Sequence, residues 1–567
     1  IRKSDADEYR VMKGIYYNNW LNENSGKNRF PNSAERNYSK TLSKNFTLYA
    51  EYKKMFGEKH DLGIMFGTSH ESADYDKFWA KRINFDQQEH MPVNLGSPQD
   101  QDASSQGNAW TINSFFSRLN YGFVGKYFIE ATLRGDGSSR FASDSRWGYF
   151  PGVSATWRIG DEQWIKSLGI FDDLKFRASW GEMGNQSGIG YYDYISLINI
   201  STDYYPFGTN TKGQMANQSN LVSSSRTWET VVSTNVGVDF SFLKDRLYGS
   251  FDYFWKNNDN MLIPVTYPSV LGISAPSTNS GKLEIHGWEA ILGWRDRIGD
   301  FRYSISTNVS DAQNKVVSRI GTSIISKGNN TTPVGYPMDS WFGYVFDGII
   351  QNEQELAEYK ARFPNSGTIQ DRRIQVGDAK YKDLNGDGNL TAFADGEGDM
   401  VYLGNTNPRY NFGVNIRMEW KGFDLSMFFQ GVGKRIMFLQ EENRMPFAAE
   451  WYQSPEFWYG KTWTTERTNA KYPAISNDGT RKGYNYDTST NTVFNAAYVR
   501  MKNLQLGYTI PKGITQKAKL ERVRVYFSGE DLFEFHNTPG GWDPEEGGTY
   551  REYPFARNYS VGLNLVF

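Results

Sequence analysis

The sequence contains no cysteine and no long apolar runs, and each absence excludes a class of protein. Without cysteine, the 567-residue chain has no disulfides, thiol nucleophiles or cysteine-based metal sites. Hydrophobic residues make up only 38% of the chain and the mean hydropathy is -0.64. No run approaches the roughly 18 apolar residues of a membrane helix. The formal charge of -2 gives no basic signature, so nucleic-acid binding is not expected.

What the chain does have is alternation of apolar and polar residues. It is clearest in residues 409–420 and 423–433, which are separated only by Lys421 and Gly422. Side chains alternate faces along a strand, so each segment has one apolar and one polar face. Aromatic residues reach 16% of the chain, which is typical of girdles at membrane interfaces but would also fit a sugar-binding surface.

The same pattern predicts about sixteen strands. They lie near residues 8–18, 38–53, 58–78, 110–121, 124–134, 147–159, 173–186, 228–241, 246–258, 283–295, 300–315, 409–420, 423–433, 498–510, 521–530 and 556–567. Their connections alternate short and long, and the long ones cover residues 19–37, 79–109, 135–146, 187–227, 259–282, 316–408, 434–497 and 531–555. We therefore predict an all-β fold, a transmembrane antiparallel β-barrel with its long loops outside the cell.

The alternative fold is a soluble β-sandwich or propeller, which does not need an apolar band on every strand. In a barrel, the polar face lines a wet interior. We place Asn308, Asn411, Asn415, Arg417 and Asp239 on that face.

Five blocks of sequence, in order along most of the chain, carry a family resemblance. They are FPGVSATWR at 150–158, LKFRASWG at 174–181 with GNQ at 184–186, WETVVSTNVGVDF at 228–240, DLNGDG at 383–388 and YVRMKNL at 498–504. Together they resemble the SusC/RagA family of TonB-linked outer-membrane transporters.

The resemblance implies a barrel of about 22 strands that encloses an N-terminal plug, with a TonB box before the plug. It also implies a SusD-like surface lipoprotein as a hinged lid, energy supplied through TonB–ExbB–ExbD, contact with membrane lipid and lipopolysaccharide, and oligosaccharide or sometimes peptide as cargo. The sequence shows no plug and no TonB box. We therefore interpret residues 1–567 as one barrel domain, the C-terminal portion of a transporter, with the plug and about six strands supplied by another chain or segment.

A candidate metal loop lies in the 316–408 connection. Asp383, Asn385, Asp387 and Asn389 stand at alternate positions with Gly388 between them, which is how a calcium loop begins. The end of the motif is imperfect, and Asp395, Glu397 or Asp399 would have to supply the missing carboxylate. The sequence predicts a structural Ca²⁺ or Mg²⁺ site or, as the alternative, a hydrogen-bonded turn without metal.

A second candidate site is aromatic. The 434–497 loop and the final loop contain Trp451, Tyr452, Trp458, Tyr459, Trp463 and Trp542. Exposed aromatic faces stack on sugar rings, so these residues are candidates for contact with cargo or with the lid. The alternative is that they pack the loop's own small core.

Three functions remain open at this point: a SusC-like importer, a passive porin and a surface receptor that does not import. No enzyme is predicted. The five histidines show neither metal-ligand spacing nor a neighbouring nucleophile elbow, and they are His60, His70, His90, His286 and His536.

Overall fold

The computed structural model describes most of the chain. The described residues are 2–13, 15–19, 22–28, 31–206, 212–218, 221–222, 225–264, 277–319, 333–370, 373–393, 398–448, 454–540, 542–546 and 556–567. The chain divides into two units. The first unit consists of Ile1–Ser154, Gly181–Val231 and Asn260–Asn279, and the second of Ala155–Trp180, Val232–Asp259 and Ser280–Phe567.

Strands dominate both units. In chain order they are β1 Arg2–Met12, β2 Ile15–Asn19, β3 Asn22–Asn28, β4 Ser33–Phe56, β5 His60–Ile83, β6 Gln101–Phe123, β7 Tyr127–Ser138, β8 Trp147–Trp157, β9 Phe171–Asn185, β10 Ile198–Pro206, β11 Lys212–Gln218, β12 Glu229–Phe242, β13 Leu247–Pro264, β14 Ser277–Ile298, β15 Phe301–Ser318, β16 Ser340–Tyr344, β17 Phe346–Ile349, β18 Ala379–Tyr381, β19 Met400–Asn405, β20 Arg409–Trp420, β21 Phe423–Lys434, β22 Ile436–Met437, β23 Phe494–Asn495, β24 Tyr498–Thr509, β25 Arg522–Glu530, β26 Glu534–His536 and β27 Asn558–Val566. Among the described residues, seventeen strands carry the main pairing. The predicted all-β fold of about sixteen strands is confirmed.

Helices are few and short in the part of the chain that the structure describes. They are α1 Gln163–Lys166, α2 Glu353–Arg362, α3 Gly367–Gln370, α4 Gly479–Asn485 and α5 Lys512–Thr515. The Asn352 side chain caps α2 by accepting a hydrogen bond from the Glu355 N–H, so this helix starts where an N-cap residue stands. None of the helices in the described residues has the length and apolar character required to cross a membrane.

In the first unit, β1, β4, β5, β6 and β7 form a continuous antiparallel ladder. Its register separates the two faces as alternation requires. One transverse row contains Tyr52, Ile64, Leu119 and Ala131, and the adjacent row on the opposite face contains Lys53, Gly63, Asn120 and Glu130.

The second unit repeats this arrangement from β14 through β15, β20, β21, β24 and β25 to β27. The apolar row there contains Ile305, Ile416, Met427 and Leu504, and the polar row contains Ser304, Arg417, Ser426 and Gln505. The alternation in the sequence therefore gives each ladder one apolar face and one polar face.

The turn between β20 and β21 fixes this register. Trp420 pairs with Phe423, leaving Lys421 and Gly422 as a two-residue loop with φ of 46° and 92°. Two consecutive positive φ values are those of a type I′ turn, whose twist matches the flanking strands. The predicted tight turn is confirmed.

Two of the predicted long loops, 19–37 and 79–109, are wrong in extent because strands occupy much of them. β4 and β5 are each 24 residues long, and β6 is 23. Their outer portions carry charge instead of alternating apolar residues, as where Arg36 donates to both Asp7 carboxylate oxygens at 2.5 and 3.0 Å. A strand that is polar on both faces has no alternation for sequence reading to detect.

Candidate functional site

The two longest loops of the second unit fold together. A first loop cluster of buried residues comprises Phe342, Tyr344, Ile350, Tyr359, Phe363, Ile369, Ile374, Ala379, Tyr381, Leu390, Met400 and Tyr484. All of these come from the 316–408 connection except Tyr484, which comes from the 434–497 connection. The loops therefore share a core rather than extending separately into solvent.

Polar contacts join the same two loops. The Arg481 guanidinium donates to both carboxylate oxygens of Asp378 at 2.8 and 2.9 Å, and Asp378 is fully buried. The hydroxyls of Tyr359 and Tyr484 are 2.8 Å apart. The buried carboxylate is thus paired bidentately, which is the arrangement a buried charge requires.

A second loop cluster determines the positions of the candidate aromatic residues. It comprises Met437, Leu439, Met445, Trp458, Tyr472, Tyr486, Phe494 and Ala496, with Ala448, Phe457 and Trp542 packed against it. Trp458 is 3% exposed and its indole N–H donates to the Asn443 carbonyl at 3.3 Å. Trp463 is also buried, and its N–H donates to Gln351 Oε1 at 3.0 Å.

Burial favours the packing alternative for two of these residues, and contact with cargo or lid stays a prediction. Trp458 and Trp463 are buried, and Trp542 is half-buried against the second loop cluster. Tyr459 is 89% exposed and keeps the predicted availability. Trp451 and Tyr452 lie outside the described residues.

Ion pairs hold the final loop against strand β24. Arg500, 1% exposed, lies 2.5 Å from Asp543 Oδ2 and 2.7 Å from Glu545 Oε1. Lys502 adds a contact of 2.9 Å to Glu545. Since Trp542 of the same segment packs on the second loop cluster, this loop links the strand wall to the loop core.

The Asp383 loop has the geometry of a hydrogen-bonded turn. Asp383 accepts from the N–H groups of Gly386 and Gly388 at 2.7 and 3.0 Å, and Asn389 donates to Asp387 at 2.8 Å. Asp399 is fully buried and accepts from the Leu384 and Thr391 N–H groups, at 2.8 and 2.7 Å. The candidate ligands Asp383, Asn385, Asp387, Asn389 and Asp399 are thus close together in one loop. Asp395 lies outside the described residues.

Among the residues described, no three His, Asp or Glu side chains are grouped to hold a metal ion. The metal site remains a prediction, and chelation provides its test. If Ca²⁺ binds, EDTA should make residues 383–399 more susceptible to protease, and added Ca²⁺ should restore protection. Unchanged digestion would mean that the backbone hydrogen bonds hold this loop by themselves.

Burial also changes the acid–base behaviour of the loop tyrosines. It raises the pKa of Tyr359 and of Tyr472 to about 12. It raises the pKa values of Tyr381 and Tyr484 well above the usual range for tyrosine. The phenols are held neutral because a phenolate in these cores would lose its hydration.

We expect the loop core to be fully stable below about pH 10 and to weaken as the pH rises toward 12. An unfolded tyrosine loses its proton near pH 10, whereas folded Tyr359 and Tyr472 keep theirs to about pH 12. Each difference corresponds to a loss of roughly 2–3 kcal/mol across that window. Tyrosinate absorbance and protease digestion of residues 333–497, followed together, measure the effect. Complete titration near pH 10 with the loops still protected would contradict it.

Tyr359 and Tyr472 provide a matched pair of variants. The Tyr359 hydroxyl accepts from the Tyr381 N–H at 2.9 Å, whereas the Tyr472 hydroxyl has no hydrogen-bond partner among the described residues. Tyr359→Phe is expected to cost about 1–3 kcal/mol because it strands a buried N–H. Tyr472→Phe should be neutral or stabilising, and equal losses would contradict this account.

A charged cluster lies on strands β9, β12 and β13 of the second unit. Arg177 donates to both oxygens of Asp239 and of Asp252 at 2.9–3.0 Å, and Lys175 is 3.1 Å from Asp239. Sequence alternation placed Asp239 on the wet face but could not pair it, because its partners come from other strands. The arginine offsets the repulsion between the two acids.

These features define a class of protein. Antiparallel ladders with one apolar and one polar face, joined by tight turns and by long folded loops, are typical of outer-membrane barrels. A family model described as "TonB dependent receptor-like, beta-barrel" matches residues 3–532. The chain belongs to this family of receptors.

Individual relatives of the chain are also TonB-dependent receptors. The chain is 28% identical over 560 residues to TonB-dependent receptor P3 of Formosa agariphila, covering 94% of this chain and 53% of the relative. It is 27% identical over 550 residues to TonB-dependent receptor SusC of Bacteroides thetaiotaomicron, covering 92% and 50%. The predicted SusC/RagA resemblance is confirmed.

Among solved structures, the chain resembles the RagAB peptide importer in its open-open state. The TM-score is 0.78 at 22% identity, covering 100% of this chain and 58% of that one. This likeness supports the fold. The chain spans about half the length of the curated relatives it matches.

Proposed function

We propose that the chain is the barrel portion of a SusC-like TonB-dependent importer that works with a SusD-like lipoprotein lid. The observation that carries this proposal is the folded body formed by the two longest loops, with its shared core and the buried Asp378–Arg481 pair. A passive pore needs no such body, whereas a lid needs a defined surface to close on. The SusC relative and the RagAB likeness favour the same reading.

The location and partners follow from this proposal. The strands would lie in the outer membrane of a Gram-negative cell, in contact with lipid and lipopolysaccharide, with the loop body extracellular. A plug and TonB box, from the rest of the protein or from another chain, would connect to TonB–ExbB–ExbD. The cargo would be an oligosaccharide or a peptide. Exposed Tyr459 is our candidate for contact with cargo or lid.

Native mass measurement of the full-length protein, purified from its own outer membrane, tests the assembly. We expect a stable complex containing a surface lipoprotein of SusD type. Cargo uptake by cells should also stop when TonB is deleted. Uptake that persists without TonB or a proton gradient would favour a porin, and cargo binding without any uptake would favour a receptor.

A further inference from the structure

A cavity of about 340 Å³ lies in the loop body of the second unit. Its size is within the range of small-ligand pockets, roughly 300–1,000 Å³. The walls are mainly aromatic, and one of them is a stacked pair, Trp341 and Phe438, with ring centroids 4.2 Å apart. Neither the sequence motifs nor the family match assigns this cavity a role.

The walls are held in place by packing. Trp458, Tyr486 and Phe494 belong to the second loop cluster and also line the cavity. Thr492, another lining residue, accepts a hydrogen bond from the Ser489 N–H at 3.0 Å. The cavity therefore exists before any ligand arrives, which lowers the cost of ordering it on binding.

The polar part of the lining contains four side chains, and the Thr492 hydroxyl among them already donates to the Asp487 and Ser489 carbonyls. The four side chains are Gln440, Arg444, Thr488 and Thr492. None of the lining side chains that the structure describes is acidic, and Arg444 is the cationic residue among them. Such a lining favours a ligand that presents a carboxylate to Arg444 and an apolar face to the aromatic wall.

We propose that this cavity binds a small carboxylate with a flat apolar face, as one terminal group of the imported cargo. The proposal rests on the proposed function and narrows its cargo to acidic molecules. Two sources share this chemistry: an acidic sugar ring and the carboxy-terminal residue of a peptide. Both would place the carboxylate at Arg444 and the apolar face against Trp341.

Calorimetric titration of the purified full-length protein tests the proposal with two pairs of probes. The sugar pair is glucuronic acid and glucose, and the peptide pair is N-acetylphenylalanine and its amide. At least one carboxylate should bind more tightly than its neutral counterpart. Binding by the sugar acid alone assigns an acidic saccharide, and binding by the peptide acid alone assigns a peptide terminus.

The variants locate the site. Arg444 is exposed, so Arg444→Gln should fold normally and weaken carboxylate binding about ten-fold or more. Arg373→Gln, with a side chain 85% exposed and outside the cavity lining, is the matched control and should change nothing. No carboxylate binding, or binding that Arg444→Gln leaves intact, would overturn the proposal. Because binding is measured without TonB, failure of import would leave this result unchanged.

Discussion

Replacing Trp458 by alanine is expected to destabilise the loop body by about 3–5 kcal/mol. The indole is 3% exposed in the second loop cluster, and its ring centroid is 4.9 Å from those of Phe457 and Tyr472. Truncation removes this packing and leaves a cavity that such a core fills only in part. Protease cleavage within residues 434–497 should become roughly a hundred-fold faster or more, because cleavage follows the open population.

The adjacent residue provides the control. Tyr459 is 89% exposed, so Tyr459→Ala should change loop stability by no more than about 0.5 kcal/mol. If Tyr459 contacts cargo, its variant should instead weaken cargo binding while leaving the digestion rate unchanged. Similar digestion of the two variants would contradict the burial described for Trp458.

Replacing Arg500 by methionine is expected to release the final loop at a cost of about 3–5 kcal/mol. The methionine fills similar space but removes the cation from Asp543, whose side chain is 8% exposed, while Glu545 keeps its contact with Lys502. An unpaired buried carboxylate is far more costly than an exposed one. Hydrogen exchange of residues 531–546 and the denaturant midpoint of the purified protein measure the loss.

Two further variants separate charge from packing. Adding Asp543→Asn to Arg500→Met should recover part of the lost stability because it removes the stranded charge. Arg362→Met breaks an exposed pair, 3.5 Å from Asp347, and should cost less than about 1 kcal/mol. Equal losses at Arg500 and Arg362 would mean that burial does not govern the network.

The strands could be predicted because their signal is local. Residues 409–420 alternate so regularly that the predicted bounds coincide with β20. Alternation is weak at the outer ends of β4 and β5, where the residues are polar on both faces. There the pairing is held by charge and backbone hydrogen bonds, which leave no apolar period in the sequence.

The loop body could not be predicted because its determinants are not local. Trp458 and Tyr459 are neighbours of similar type, yet one is buried and the other almost fully exposed. Asp378 and Arg481 meet only after the two loops pack on each other, with the strands β20 and β21 between them in sequence. Sequence identified the aromatic residues but gave no information on which of them the other loop would cover.

The pairing of β15 with β20 has a consequence for the order of assembly. These strands are neighbours in the ladder although the whole 319–408 segment separates them. Bringing their ends together through a disordered connection costs entropy that grows with the logarithm of its length. A connection that has already collapsed around the residues it supplies to the first loop cluster has met most of this cost beforehand, so the two strands can then meet almost as a local hairpin does. Early collapse of the connection would thus precede the pairing of β15 with β20. Replacing the connection by a short flexible linker would slow refolding even where the final fold is unchanged.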